Sequence, residues 1–210
     1  MRLVPLPLPP YRPAIPPDVA EFLAEVDQRI DDFQVQHCVP GFVPSDYSSV
    51  YLALSYMASN TLSRGSQFCE WGSGYGVVTC LATMVGFAAC GIEIEPLLVE
   101  QARRLAADHQ LPAEFALGSF IPPGAEPRVH TNGVFCWLTT EADHAYETLG
   151  LDVSDLDVVF AYPWPDEEGV IEELFLRYAS PGALLVTFHG GQDVRVQRKV
   201  GRSGRSRGGG

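Results

Sequence analysis

The residues best suited to chemistry are three glycines that follow a short apolar run. Residues 67–71 (QFCEW) form the run, and Gly72, Gly74 and Gly76 follow it at every second position. Glycine permits a sharp turn and lets a ligand approach the backbone without meeting a Cβ atom. A helix that begins after such a turn offers unpaired N–H groups to polar ligand atoms. The pattern therefore predicts a ligand-binding turn between a strand and a helix.

Two glutamates lie at the ends of neighbouring proposed strands. Glu70 ends the first run, and Glu93 lies 17 residues after Gly76, near the end of a second run at 89–94 (ACGIEI). Open α/β sheets bind ligands outside the carboxyl ends of their strands, and a carboxylate there can accept hydrogen bonds from both hydroxyls of a ribose. We therefore expect Glu70 and Glu93 to face one crevice. A dinucleotide is disfavoured because its GxGxxG fingerprint requires glycine at position 77, where the chain has Val77.

Together, the EWGSGYG turn and the GIEIEP segment resemble the class I, seven-stranded S-adenosylmethionine-dependent methyltransferases. The resemblance covers about residues 42–190 and is strongest over 66–118. It implies that Glu70 and the glycine turn hold the methionine part of the cofactor and that Glu93 binds its ribose. The family usually has an adenine-binding acid after the third strand, where this chain has Ser119 and Phe120. The predicted cofactor residues are Glu70, Gly72, Ser73, Gly74, Tyr75, Gly76, Glu93, Ser119 and Phe120.

The acceptor side is expected after a strand at 157–161 (DVVFA). Methyltransferases that act on planar amino groups carry an Asn/Asp-Pro-Pro-aromatic motif here, whereas this chain has Ala161 and Tyr162 in the leading places. Tyr162 and Trp164 could enclose an amine by cation–π contact, and the acidic triplet 166–168 would attract a cation. Alternatively, Trp164 fills the core and the acids stabilise a helix N-terminus.

A histidine and an upstream segment complete the candidate residues. His189 follows a strand at 183–188 (ALLVTF) and is a candidate general base, although a structural histidine is an alternative. The predicted catalytic set is Tyr162, Trp164 and His189. Asp46 and Tyr47 could reach the cofactor from a segment folded over it, unless Asp46 only caps its helix.

The remaining periodicity predicts the elements that position these residues. Helices are expected at 17–36, from Ser45 or Asp46 to about 63, and at 76–86, 96–109 and 167–179; further strands are expected at 113–117 and 193–200. Near-continuous apolar strands separated by helices indicate a mostly parallel sheet covered on both faces. We therefore predict an α/β Rossmann-like, three-layer α-β-α sandwich with an N-terminal helical extension. The C-terminus is shortened, because the resemblance implies a final antiparallel hairpin and only one charged, edge-type strand, 193–200, follows 183–188.

The chain divides into four expected regions. Residues 1–16 form a Pro-rich arm that is laid over the domain or disordered, 17–64 form helices that pack on the core, and 65–200 form the cofactor-binding domain. A basic Gly/Arg/Ser tail occupies 201–210. The segment 119–156 is longer than an ordinary connection. It contains a possible strand, VFCWL, and a helix near 141–149, and is placed where a substrate lid often lies.

Composition limits the function classes. The 210 residues carry a formal net charge of −12, yet residues 195–210 hold six cations and no acid, so 8 basic and 26 acidic residues remain elsewhere. Such an acidic body would repel a nucleic-acid backbone. Five scattered cysteines without a CxxC pair predict neither disulfides nor a metal site, and a reducing cytoplasm fits. Neither a signal peptide nor a membrane span is predicted.

The resulting hypothesis is an S-adenosylmethionine-dependent methyltransferase whose acceptor is unknown, with an amine on a protein or small molecule favoured over nucleic acid. One alternative is an RNA methyltransferase that uses the basic tail as its electrostatic contact. Another is a methyltransferase-like protein that binds cofactor or a partner without catalysis.

Overall fold

The computed structural model describes residues 1–9, 13–125 and 145–201. Within these ranges seven strands form one sheet in the order β1-β7-β6-β5-β2-β3-β4. The strands are β1 (Arg2–Leu6), β2 (Gln67–Trp71), β3 (Ala88–Glu93), β4 (Glu114–Leu117), β5 (Val158–Ala161), β6 (Leu184–Phe188) and β7 (Val194–Val200). The helices are α1 (Pro17–Gln36), α2 (Tyr47–Ser59), α3 (Val77–Met84), α4 (Pro96–Asp108), α5 (Ala145–Leu149) and α6 (Glu168–Tyr178).

The sheet is parallel over its five central strands, β4-β3-β2-β5-β6. Strand β7 runs antiparallel to β6, and β1 runs antiparallel to β7. Every predicted helix and strand that lies wholly within the described ranges is present, with bounds shifted by a few residues at most. The prediction of a mostly parallel, Rossmann-like α/β sheet is therefore confirmed.

Side chains alternate between two cores, one on each face of the sheet. Phe68 and Val158 point into a core shared with α1, α2, α3 and α4. Cys69 and Val159, the next residue on each strand, point into a second core shared with α5 and α6. Because both faces are covered by helices, the strands are apolar throughout, as expected of a parallel sheet.

Local sequence fixes where the helices begin. Pro17 and Pro96 occupy the first turns of α1 and α4, where the missing N–H costs nothing. The Asp46 carboxylate accepts hydrogen bonds from the backbone N–H of Ser49 (3.0 Å) and from its hydroxyl (3.0 Å) and so caps α2. The capping interpretation of Asp46 therefore holds, and its side chain is committed to the helix.

The N-terminal residues differ from the expected arm. Residues 2–6 pair with β7 from Arg2↔Val200 to Leu6↔Val196. The prolines obscured this strand, but an edge strand tolerates proline because one side of its backbone needs no ladder partner. The interpretation of 193–200 as an edge strand is wrong, because β1 pairs with its outer side and β7 therefore lies between β6 and β1. The N-terminal residues thus supply the strand that pairs with the outer side of β7.

Parts of two predictions lie outside the described residues. These are residues 126–144 of the 119–156 insertion, which include the possible VFCWL strand, and residues 202–210 of the basic tail. Residues 119–125, α5 and the 3₁₀ turn Val153–Asp155 of the insertion are described. Among the described helices, none is long and apolar enough to cross a membrane.

Candidate functional site

A cavity of about 470 Å³ opens at the carboxyl edge of the sheet. Its wall combines the ends of β2, β3, β4, β5 and β6 with residues 39–45, which connect α1 to α2. Of the twelve predicted site residues, ten line it: Glu70, Gly72, Ser73, Gly74, Glu93, Ser119, Phe120, Tyr162, Trp164 and His189. The strand order brings these distant segments together, because the carboxyl ends of parallel strands meet at one edge.

The glycine turn has the left-handed backbone that its glycines permit. Gly72 and Gly74 have φ values of 74° and 52°, which side chains rarely adopt. A Cβ atom at Gly72 would meet nothing within 4 Å, so the backbone there faces open cavity. A Cβ atom at Gly74 would lie 3.0 Å from Cε2 of Phe42. The turn thus presents bare backbone to a ligand at one glycine and packs under an aromatic ring at the other.

Two residues predicted to contact the cofactor lie behind this turn and do not line the cavity. Tyr75 is buried against Phe33, and its hydroxyl lies 3.3 Å from Oε1 of Gln101. A Cβ atom at Gly76 would lie 2.6 Å from that of Ala102, so this glycine permits close packing of α3 on α4. Both residues support the turn instead of facing its ligand side.

Glu93 fastens the end of β3 to the glycine turn. Its Oε2 accepts a hydrogen bond from the backbone N–H of Gly74 (2.8 Å). Its Oε1 accepts bonds from the N–H groups of Ile94 (2.8 Å) and Glu95 (3.0 Å). Burial raises the pKa of Glu93, although these three hydrogen bonds oppose the shift. A carboxylate has about four acceptor positions, so capacity for a ligand hydroxyl remains.

Glu70 is a second buried carboxylate at the turn. Its Oε2 accepts hydrogen bonds from the backbone N–H (2.8 Å) and hydroxyl (2.6 Å) of Thr79, in the first turns of α3. Burial raises the pKa of Glu70 to about 8, against the effect of the Thr79 hydrogen bonds, and the charge of Glu93 adds to the rise. An empty site therefore holds this carboxyl largely protonated at neutral pH.

The end of β4 supplies a hydroxyl and an aromatic face. Ser119 is buried, and its Oγ accepts a hydrogen bond from the backbone N–H of Ile121 (3.1 Å). The ring of Phe120 stacks on Trp71 with centroids 5.1 Å apart and planes 5° from parallel. The stacking fixes the Phe120 ring, which lines the cavity as a flat apolar surface.

The segment 39–45 forms a wall that sequence reasoning recognised only in part. Phe42 packs on Phe33 and Tyr75 and so covers Gly74. Tyr47, which follows this segment, is buried and lines the cavity, and burial together with the charge of Glu70 raises the pKa of its phenol. The sequence suggested that a segment around Asp46 and Tyr47 folds over the cofactor, but nothing in it specified which ring would cover the glycines.

The acceptor side of the cavity is aromatic. Tyr162 packs edge-on against Phe188, with ring centroids 4.8 Å apart. Trp164 is 39% exposed at the cavity rim and does not fill the core as one interpretation held. The backbone N–H of Trp164 lies 3.4 Å from Oε2 of Glu167, which is buried.

His189 and Glu168 meet across the rim. Nδ1 of His189 lies 2.9 Å from Oε1 of Glu168, and Nε2 lies 2.8 Å from Oγ1 of Thr187. Both nitrogens of the imidazole are therefore engaged. Of the acidic triplet, Glu167 and Glu168 line the cavity, whereas Asp166 is exposed and does not.

The cavity wall contains acids but neither lysine nor arginine among the described residues. Its carboxylates are Glu70, Glu93, Glu95, Glu167 and Glu168. No cluster of described residues could hold a metal ion.

The three described cations of the basic C-terminal stretch lie elsewhere, and each contacts its own chain. Arg195 pairs with Asp193, Arg198 donates to the carbonyl of Leu62, and Lys199 donates to that of Ala179.

Comparison with solved structures finds methyltransferases. An RNA methyltransferase from Salinibacter ruber, in complex with S-adenosyl-L-homocysteine, is 20% identical over 75% of this chain and 92% of its own, with a TM-score of 0.50. A methyltransferase from Geobacter sulfurreducens is 16% identical over 90% of this chain and 92% of its own, with a TM-score of 0.51. An O-methyltransferase from Bacillus cereus, in complex with S-adenosyl-L-homocysteine, is 16% identical over 82% of this chain and 67% of its own, with a TM-score of 0.52.

No family model matches the sequence, and no curated protein matches it. At these identities the structural similarity concerns the fold alone. It agrees with the seven-stranded, mostly parallel sheet and its helices. The chain therefore has the Rossmann-like fold of the class I, seven-stranded S-adenosylmethionine-dependent methyltransferases.

Proposed function

We propose that this protein binds S-adenosylmethionine and transfers its methyl group to an acceptor held at the cavity rim. One observation carries the proposal: a single cavity joins the bare backbone at Gly72, the Glu93 carboxylate, the Phe120 ring and the strand-end aromatics Tyr162 and Trp164. Solved structures of the same fold that are in complex with S-adenosyl-L-homocysteine support this choice of cofactor.

The cavity fits an adenosyl ligand in size and chemistry. Its volume of about 470 Å³ lies within the range of small-molecule sites, roughly 300–1,000 Å³. Glu93 retains acceptor capacity for ribose hydroxyls, and Phe120 and Ser119 can contact the adenine. The open backbone at Gly72 leaves room for the methionine part beside Glu70.

The cofactor supplies an electrophilic methyl group on a sulfonium, so the protein has to position two reactants and exclude water. Tyr162 and Trp164 would hold the acceptor beside the cofactor. We favour an amine on a protein or small molecule, because aromatic rings next to carboxylates suit a cationic group. Ala161 lacks the polar side chain that would orient a planar amino group, which disfavours a nucleobase.

The cofactor site is tested by two glycine substitutions that strain the backbone similarly. Gly72 (φ 74°) and Gly150 (φ 64°) both have open space where a Cβ atom would lie, but only Gly72 lines the cavity. Each change to alanine should cost about 1 kcal/mol of stability, from the left-handed backbone. Gly72→Ala should also weaken S-adenosyl-L-homocysteine binding by tenfold or more in calorimetry, because its Cβ occupies the ligand's approach.

Gly150→Ala is the matched control and should bind like the unaltered protein. Equal affinity in Gly72→Ala, Gly150→Ala and the unaltered chain would show that the ligand does not approach the turn. Absence of binding in all three would reject the proposal outright.

The two alternatives have less support. An RNA methyltransferase that uses the basic C-terminal stretch would need free cations, yet Arg195, Arg198 and Lys199 contact their own chain. RNA binding that falls with salt and disappears on deletion of 202–210 would reinstate it. A non-catalytic binding protein would bind the cofactor but release no S-adenosyl-L-homocysteine with any amine acceptor.

A further inference from the structure

We propose that Glu168 recognises the acceptor and that the acceptor carries a cationic nitrogen. The inference rests on the proposed function, because it concerns the acceptor side of the same cavity. It names one carboxylate for recognition and gives His189 a positioning role in place of the general-base role predicted from its place after β6.

A chain of hydrogen bonds holds the Glu168 carboxylate in place. An ionised carboxylate only accepts, so Nδ1 of His189 carries the proton that it shares with Oε1 of Glu168 (2.9 Å). Nε2 of the ring lies 2.8 Å from Oγ1 of Thr187, a buried residue of β6, and shares a hydrogen bond with that hydroxyl. Both ring nitrogens are occupied, and the imidazole therefore fixes the direction of the carboxylate.

The same three groups have the order of a carboxylate–histidine–hydroxyl triad, but they cannot act as one. Thr187 is 5% exposed and does not line the cavity, so its hydroxyl has no access to a substrate. A nucleophile must reach the reacting atom. The group at the accessible end of the chain is Glu168, whose side chain is 43% exposed, against 10% for His189.

Arg195, which pairs with Asp193 and does not line the cavity, is close enough to Glu168 for their charges to interact. Among the described residues, none donates a hydrogen bond to the second oxygen of Glu168, Oε2. Its neighbour Glu167 is buried and also lines the cavity, whereas no described lysine or arginine does. This wall would repel a carboxylate or phosphate and attract an ammonium group.

The rim offers a second contact that favours the same class of ligand. Trp164 lines the cavity near this carboxylate and is 39% exposed. A tryptophan face attracts cations, and its attraction adds to that of a carboxylate. A primary or secondary amine, protonated as it arrives, would satisfy both groups. The ammonium would then give its proton to solvent water at the open rim, and the lone pair freed by this loss would form the new N–CH₃ bond as the S–CH₃ bond of the cofactor breaks.

Three probes of one shape but different charge test the proposal: 2-phenylethylamine, 2-phenylethanol and 3-phenylpropionate. Their binding to protein saturated with S-adenosyl-L-homocysteine is measured by saturation-transfer NMR and titration. The amine should bind at least tenfold more tightly than the alcohol, since a hydrogen bond to a charged group contributes about 1.5–3 kcal/mol. The carboxylate should bind most weakly.

Variants assign that selectivity to residues. Glu168→Gln should remove the preference for the amine over the alcohol, whereas Asp166→Asn, which removes the same charge from an exposed neighbour outside the cavity, should keep it. His189→Asn preserves a donor near the position of Nδ1 and should retain the preference. His189→Gln places its donor near Nε2 and should lose several-fold of it.

Two outcomes would overturn the proposal: equal binding of the three probes, or an unchanged preference in Glu168→Gln. Equivalent effects of His189→Asn and His189→Gln would remove the positioning role. If S-adenosyl-L-homocysteine does not bind, the proposed function fails by that measurement alone. The probe series is then run on the unliganded protein, where the same outcomes decide the role of Glu168.

Discussion

The two edges of the parallel sheet differ in whether their charged groups are paired with an opposite charge. At the amino edge, Arg64 donates to Oδ1 of Asp157 (2.8 Å) and to the carbonyls of Pro181 and Ser154. Oδ2 of Asp157 in turn accepts from the backbone N–H of Gln67 (3.0 Å). Each charge is matched by a partner, and the cluster ties the segment before β2 to the segments before β5 and β6.

At the carboxyl edge, the buried carboxylates of Glu70 and Glu93 have no cationic partner among the described residues. Glu70 and Glu93 are buried close enough that the charge of one raises the pKa of the other, and both are held by N–H and O–H groups alone. Glycines with positive φ separate them, and a cavity opens beside them. Buried carboxyl groups without an opposing charge are costly, and their clustering beside a cavity is typical of ligand sites.

We therefore expect the charged groups of the amino edge to determine stability and those of the carboxyl edge to determine ligand affinity. Substitutions at the amino edge should lower the free energy of unfolding and leave ligand affinity unchanged. Neutralising a carboxylate at the carboxyl edge should weaken ligand binding without lowering the free energy of unfolding, because the ionised group contacts a ligand and does not stabilise the fold.

The largest expected effect is the pH dependence contributed by Glu70. Its folded pKa of about 8 lies above the value near 4.3 expected when unfolded. Between these two pH values unfolding releases a proton from Glu70. The contribution of Glu70 to the free energy of unfolding is therefore complete below about pH 4 and is lost as the pH rises through 8. Glu70→Gln should abolish this fall, with a gain over the unaltered protein of roughly 4 kcal/mol at pH 9.

Urea unfolding at pH 5, 7 and 9 measures this gain. Glu114→Gln is the control, since Glu114 is exposed at the start of β4, at the amino edge. A Glu70→Gln variant whose stability followed the same pH curve as the unaltered protein would show that Glu70 is ionised in the empty site.

The next largest effect is expected from Asp157→Ala. It leaves the Arg64 guanidinium and the backbone N–H of Gln67 without their carboxylate, which should cost about 3 kcal/mol of unfolding free energy. Calorimetric affinity for S-adenosyl-L-homocysteine should be unchanged. A marked loss of affinity with little loss of stability would contradict the separation of the two edges.

The smallest effect is expected at an exposed ion pair. Arg195 and Asp193 lie 2.7 Å apart with side chains 53% and 49% exposed. Exposed pairs contribute little because water screens them. Asp193→Ala should therefore change the unfolding free energy by less than about 0.5 kcal/mol, and a larger loss would show that the turn between β6 and β7 depends on this pair.

The elements that the sequence predicted best are those with local causes. Apolar runs identified the central strands, Pro17 and Pro96 marked helix starts, and the spacing of Gly72 and Gly74 placed the turn, because each of these patterns acts through its own neighbours. Strand β1 was missed because Pro5 and the prolines that follow the strand resemble an arm, and only the pairing with β7 reveals that Pro5 lies on an edge strand.

The candidate site was predicted as a set of residues, not as contacts. Glu93 and Phe120 reach the cavity because the sheet order places β3 beside β2 and β4 beside β3. The commitment of His189 to Glu168 and Thr187 depends on how α6 packs against β6, which no spacing in the sequence encodes. The glycine spacing likewise could not distinguish Gly72, which faces the ligand side, from Gly76, which faces Ala102.

A crystal structure of the protein grown with S-adenosyl-L-homocysteine tests the central claim most directly. We expect the ribose hydroxyls within hydrogen-bond distance of the Glu93 carboxylate, the adenine against Phe120 and the sulfur directed towards Tyr162. Nucleoside density elsewhere on the molecule, or a Glu93 side chain without contact to the sugar, would contradict the assignment of this cavity.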